Sequence, residues 1–383
     1  MRSAFFSASL AVVATVTALP QEIPSSKILA PALPVDKFKH TEFPEPIPLE
    51  EAKEIFNNYT ATPPGVATTL YSYKTNHELV KLAQIAAHVM SKVTETVNIN
   101  PPKLQARATC SSVRTRMEWD SFPDSGKQQF VDAIKCLMGR APSGQFSNAR
   151  SRYEDFVALH QRLTPNVHQN SKFLLWHRYF LWTFESVLRD ECGYQLSVPW
   201  FDETRYAGRF AQSSIFSDKW LGGLALGGDC VRNGQFANLN LNVGPGTDNQ
   251  AHCLARNGNG GLTAYCNAEY VNQCNAYTDF AGMAFCAERG PHAFGHNGVG
   301  AVMQDVYGSP GDMFFYMHHG FVDRNFRIWT NADPSRVHTI NGNDISGRPL
   351  TLDDTINVYG IRPDVRIRDV LDTTQTLCYK YNY

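Results

Sequence analysis

Residues 172–188 read Lys-Phe-Leu-Leu-Trp-His-Arg-Tyr-Phe-Leu-Trp-Thr-Phe-Glu-Ser-Val-Leu. Apolar side chains recur at every angle of a helical wheel, and a helix that is hydrophobic on all sides is buried. This segment therefore predicts a central helix, with His177 carried into the core. Its neighbours show helical spacing too. Ser125–Leu137 places Phe130, Ile134 and Leu137 on one face, and Arg150–Leu163 places Tyr153, Phe156, Val157 and His160 three and four residues apart. Pro291–Gln304 and Met313–Trp329 are two further helical candidates. Strand signals are few and short, and the Gly-, Asn- and Cys-rich stretch 202–285 reads as loop. The fold class expected is mainly α: a buried four-helix bundle with long irregular loops and few short strands.

Composition excludes several classes. The chain has 383 residues, 43% of them hydrophobic, which supplies a core and rules out wholesale disorder. Its formal net charge is -1, so it has no basic field with which to bind nucleic acid. After Met1-Arg2, residues 4–18 are small and apolar; Val16 and Ala18 suit a cleavage site, so residues 1–18 read as a secretory signal peptide. That stretch is short of the roughly 20 residues of a membrane span, and Pro20 follows it. Asn58-Tyr59-Thr60 is a glycosylation acceptor, in keeping with an extracellular, secreted protein. Residues 19–108 read as an N-terminal extension: a Pro-rich leader arm or pro-region, then a helical pattern around His77–Met90, ended by Pro101-Pro102. Residues 109–383 form the main domain, and everything before about Cys110 is expected to be dispensable for the site that the downstream motifs form, or else to cover that site as a pro-region. Nine cysteines suggest disulfides and leave at least one thiol unpaired.

The 12 histidines carry the chemistry. His160, His168 and His177 follow one another at spacings of eight and nine, on or beside predicted helices, with His168 in the loop after Leu163. Downstream, His292 and His296 are four apart and share a helix face, and His318-His319 opens the last predicted buried helix. Adjacent helical residues point about 100° apart, so His318 and His319 do not serve one ion. His318 is read as structural or surface, along with His40, His77, His88, His252 and His338. Buried imidazoles need a hydrogen-bond or metal partner. Two all-imidazole triads, without cysteine or carboxylate, suit copper.

The segments Asp155-Phe156-Val157-Ala158-Leu159-His160, Trp176-His177-Arg178-Tyr179-Phe180-Leu181, Gly290-Pro291-His292-Ala293-Phe294-Gly295-His296 and Asp312–Arg324 resemble the copper motifs of type-3 dicopper proteins, the tyrosinase and catechol oxidase family, most closely its short secreted fungal members. The resemblance implies two copper ions, the first held by His160, His168 and His177 and the second by His292, His296 and His319. It implies a catechol oxidase that takes phenolic small molecules and O2, yields ortho-quinones, and hydroxylates monophenols more weakly. A tyrosinase with substantial hydroxylation, an ortho-aminophenol oxidase and a hemocyanin-like oxygen carrier are the alternatives. Leu377–Tyr381 resembles the Tyr-x-Tyr motif that closes the family's catalytic domain.

By the same resemblance Glu288 acts as a base near the second copper, Phe315 walls the substrate ring, Val306 leaves access to the first copper open, and Ala293 lacks the polar group that aids phenol deprotonation. Asp323 is expected to orient a ligand or to cap local hydrogen bonds, or else to form an ion pair with Arg324 or another base at the surface; a solvated Glu288–Arg289 pair is the other reading of Glu288. Two departures stand out. Met313 replaces a proline and should loosen the start of the last helix. Asn166 replaces the cysteine that many fungal members join to the second ligand, which leaves the His168 loop free to move.

Overall fold

The computed structural model describes residues 29–40 and 110–383. The signal peptide, Asn58, the 77–90 pattern and Pro101-Pro102 lie outside these residues. Within them the helices are α1 (Asp124–Gly139), α2 (Arg152–Val167), α3 (Phe173–Cys192), α4 (Gly260–Thr263), α5 (Ala268–Asn275), α6 (Phe280–Ala287), α7 (Ala293–Val299), α8 (Phe314–Asn331) and α9 (Ile367–Leu371). Strands are two or three residues long: β1 (Arg114–Arg116), β2 (Asn240–Leu241), β3 (His252–Cys253), β4 (Thr355–Ile356), β5 (Val365–Arg366) and β6 (Tyr379–Tyr381). They pair as β1–β6, parallel, and as antiparallel β2–β3 and β4–β5. The expected mainly α architecture is the one found.

Local chemistry sets the helix ends. Ser151 caps α2 by accepting from the Glu154 amide at 3.2 Å. Gly193, at φ 65°, ends α3 in the left-handed conformation that only glycine adopts without cost. α3 is buried from Phe173 to Tyr179 without a break, as its all-round apolarity requires. At the start of α8, Asp312 accepts from the Phe314 amide and is gripped by both Arg256 Nε (2.7 Å) and Nη2 (3.0 Å). The loosening expected from Met313 is thus not found: Asp312 and Arg256 fix that end.

Two further expectations are corrected. The 202–285 stretch is not all loop. It contains α4, α5 and α6, capped by Asn259, Asn267 and Asp279; helices of four and eight residues are too short to show an apolar period. α2 does not stop at Leu163 but runs through Pro165 to Val167. Within the extension, residues 29–40 pack against the domain. Leu33 and Phe38 belong to the hydrophobic core, and Ala30, Pro31, Val35, Phe38 and Lys39 hydrogen-bond to the body through Asn240, Cys253, Gln304 and Val306. A Pro-rich strap of this kind has no helical period because its backbone bonds to another segment rather than to itself.

Disulfides Cys110–Cys378, Cys136–Cys192, Cys230–Cys253 and Cys274–Cys286 form, leaving Cys266 free and buried, as the odd count required. The first staples the same chain ends that β1 and β6 pair. Among the described residues no helix is long and apolar enough to cross a membrane.

Candidate metal centre

The bundle gathers two histidine clusters, His160 with His168 and His177, and His292 with His296, His318 and His319, all buried. His160 comes from α2, His168 caps its C-terminus, and His177 sits one turn into α3. His292 and His296 flank the first turn of α7, and His319 lies in the second turn of α8.

Most of these rings are aimed by a backbone carbonyl at Nδ1. His160 Nδ1 meets Tyr307 O at 3.0 Å, His168 meets Thr164 O at 3.2 Å, and His177 meets Phe173 O at 2.8 Å. His292 meets Glu288 O at 3.0 Å and His296 meets Met303 O at 2.6 Å. A carbonyl only accepts, so each of these Nδ1 atoms carries the hydrogen and each Nε2 presents a lone pair. Burial pushes the imidazoles down, His160 to about 4, so the rings are neutral near pH 7. Yet His160 Nε2 faces His177 Nε2 at 3.3 Å, and His296 Nε2 faces His319 Nε2 at 3.2 Å. His292 Nε2 is buried with no partner. In the first pair two lone pairs face each other, and only a cation between them resolves that contact. The donor set thus fits one metal ion per cluster, of the imidazole-loving transition series.

His318 behaves differently. Its Nδ1 is held by the buried Glu203 carboxylate, and its ring packs on His292 and His296 at centroid distances of 5.4 and 4.6 Å. It backs the second cluster, in keeping with a structural role. Sequence reasoning missed Glu203 altogether, because it lies in the stretch read as loop and no periodicity marks it. It also missed the carbonyls of Met303 and Tyr307, which no side-chain pattern can reveal.

The His168 loop is not free. The Gln169 amide donates to Glu288 Oε1 at 2.7 Å, and His168 N and Nδ1 both bond to Thr164 O. Glu288 is buried and burial pushes its carboxyl up to about 8, against the pull of the Gln169 amide and Arg289. Arg289 lies over the Phe285 ring, so the solvated Glu288–Arg289 pair is not what forms. Asp323 accepts from Arg178 Nε (2.6 Å), Arg116 and the hydroxyls of Tyr379 and Tyr381. It therefore braces α8 against α3 and β6; its ion pairs are with Arg178 and Arg116 and are buried rather than at the surface, while Arg324 stacks on Trp200. Phe315 is wholly buried, 4.0 Å from the His319 ring and 5.3 Å from His160, between the clusters. The opening onto the site is lined instead by His168, His292, His296, Asn297, Gln304, Val306 and Ser309. Ala293 is buried directly after His292.

Residues 150–332 match the family described as the common central domain of tyrosinase. Tyrosinase ustQ of Aspergillus flavus is 30% identical over 343 residues, covering 85% of this chain and 92% of that protein. Tyrosinase P of Aspergillus terreus is 28% identical over 331 residues, covering 71% and 93%. A polyphenol oxidase variant from Thermothelomyces thermophila superposes with a TM-score of 0.65 at 24% identity, covering 91% of this chain and 100% of the other.

Proposed function

This chain belongs to the tyrosinase family of type-3 dicopper proteins, and from that premise we propose that its main reaction is the oxidation of ortho-diphenols to ortho-quinones, with weaker hydroxylation of monophenols. It is a copper oxidoreductase that acts on phenols with O2. The observation that carries the assignment of ligands is the face-to-face approach of the buried, lone-pair-bearing Nε2 atoms of His160 and His177. On this reading His160, His168 and His177 hold one ion and His292, His296 and His319 the other. When bound, the copper pair supplies the two-electron exchange between diphenol and O2, two diphenols yielding two quinones and two waters.

The protein's own residues do the rest. Carbonyl-anchored imidazoles keep the ligand geometry fixed through turnover. Glu288, whose buried carboxylate accepts from the Gln169 amide and whose carbonyl anchors the His292 ring, takes the phenol proton as the substrate enters. Ala293 offers no hydrogen bond with which to hold a water for that transfer. A diphenol is more acidic and bidentate and is served well enough; a monophenol depends on the missing help. Val306 lines the opening and its modest bulk admits the ring. The apolar leader and Asn58 support secretion of the enzyme.

The deciding experiment compares turnover of 4-tert-butylcatechol and 4-tert-butylphenol, before and after Ala293→Asn. The catechol is expected to be the faster substrate by at least an order of magnitude, and the phenol rate to rise in the variant. Equal rates in the parent protein would overturn the ranking, and an unmoved phenol rate in the variant would remove its explanation. Reversible O2 binding without quinone formation would identify an oxygen carrier.

A further inference from the structure

We propose that the strap at residues 29–40 is a resident wall of the substrate entrance, and that its end, Lys39-His40, selects phenols by size. The inference rests on the phenol-oxidising reading above. Three of the residues lining the opening are engaged by this strap. Asn297 Oδ1 meets His40 Nδ1 at 2.9 Å; Gln304 Nε2 donates to Val35 O (3.1 Å) and Phe38 O (3.0 Å); the Val306 amide donates to Lys39 O at 3.0 Å. The same opening is lined by His168, His292 and His296, so the strap borders the space next to three of the cluster histidines.

Its anchoring is that of a fixed element. Phe38 is 1% exposed and packs edge-on against the His252 ring at 5.7 Å, while Lys39 and His40 are exposed. The inner residue holds the strap down and the outer two edge the entrance. A wall of this kind acts on access, so its signature is a change in apparent substrate affinity that grows with substrate bulk, at constant metal content. A purely structural strap would alter all substrates alike.

The test uses the full-length, copper-loaded chain. His40→Ala alters an exposed side chain and leaves the core intact; Phe38→Ala loosens the strap from beneath. kcat/KM is measured for catechol and for 3,5-di-tert-butylcatechol, with copper per chain and trypsin cleavage at Lys37 and Lys39 followed in parallel. Both variants are expected to raise the bulky-to-small ratio at least threefold, mainly through KM. Copper is expected to stay unchanged, and cleavage to quicken only in Phe38→Ala. Equal factors for both substrates, or no change in either variant, would overturn the proposal. No turnover of catechol by the parent protein would instead defeat the reading on which it rests.

Discussion

His318 rests its ring edge on the bare backbone of Gly295: a Cβ at that glycine would lie 2.4 Å from His318 Cε1, 2.7 Å from Nδ1 and 3.1 Å from Glu203 Oε2. The glycine stands between His292 and His296, so the turn that carries two imidazoles of the second cluster can approach the Glu203–His318 pair only because it has no side chain there. Gly295→Ala is expected to destabilise the metal-free protein by about 1–3 kcal/mol through overpacking. A thermal unfolding midpoint equal to that of the parent would contradict this.

The metal assignment predicts a division of labour between the clusters. His177→Ala or His296→Ala should lower bound copper from two ions per chain towards one and abolish oxidation of catechol. Removing copper from the parent protein should lower its unfolding midpoint, and adding copper should restore it, since a ligand that binds only the native state stabilises it by mass action. Metal analysis together with calorimetry decides. Two tightly held ions in His296→Ala would refute the proposed ligand set.

Glu288 should leave a mark on the pH–rate profile. Only its ionised form accepts a proton, so activity rises with pH through its pKa. Burial places that pKa at about 8, and neighbouring positive metal charge draws it lower. In Glu288→Gln the rising limb should disappear and turnover fall 10²–10⁴-fold, with copper content retained. Steady-state kinetics from pH 5 to 9 provide the check, and an unaltered limb would assign it to another group.

Asp305 should govern stability rather than rate. Burial raises its carboxyl to about 6 from an ordinary 3.8, despite the Gly246, Tyr307 and Gly308 amides and Lys39. A raised acid pKa means the native state holds the proton more tightly than the unfolded chain. The stability it contributes is therefore full below about 4, declines as pH rises towards about 6, and is flat beyond. The span is about 3 kcal/mol, at 1.36 kcal/mol per pH unit. Asp305→Asn should flatten the stability of the protein between pH 4 and 6, as read from denaturant unfolding at several pH values. A decline as steep as the parent's would show that another group is responsible.

How much of this was legible in the sequence depended on length and on side chains. α3 and α8 declared themselves because their apolar residues recur over many turns, and the histidines stood out against them. α5 and α6, at eight residues each, could be found only from their Asn267 and Asp279 caps, a weaker sign. The carbonyls of Phe173, Thr164, Glu288, Met303 and Tyr307 that aim the imidazoles are common to every residue type and so leave no trace in composition. The partners of Asp323 were hidden for a related reason. Its partners Arg116 and Tyr379 are 207 and 56 residues away along the chain, and only the fold brings them to it. The packing of residues 29–40 left no mark in the sequence, because extended chain lying on a body resembles a free linker until the partner surface is known.

That strap has a consequence for how the protein behaves once processed. Among the described residues it is joined to the body by hydrogen bonds and by Leu33 and Phe38, with no disulfide of its own. While the chain is intact, residues 41–109 tether it and keep its effective concentration high. A single cut within that tether turns an intramolecular contact into a bimolecular one. The cleaved enzyme then becomes a two-component assembly whose composition depends on its concentration relative to the dissociation constant of the strap.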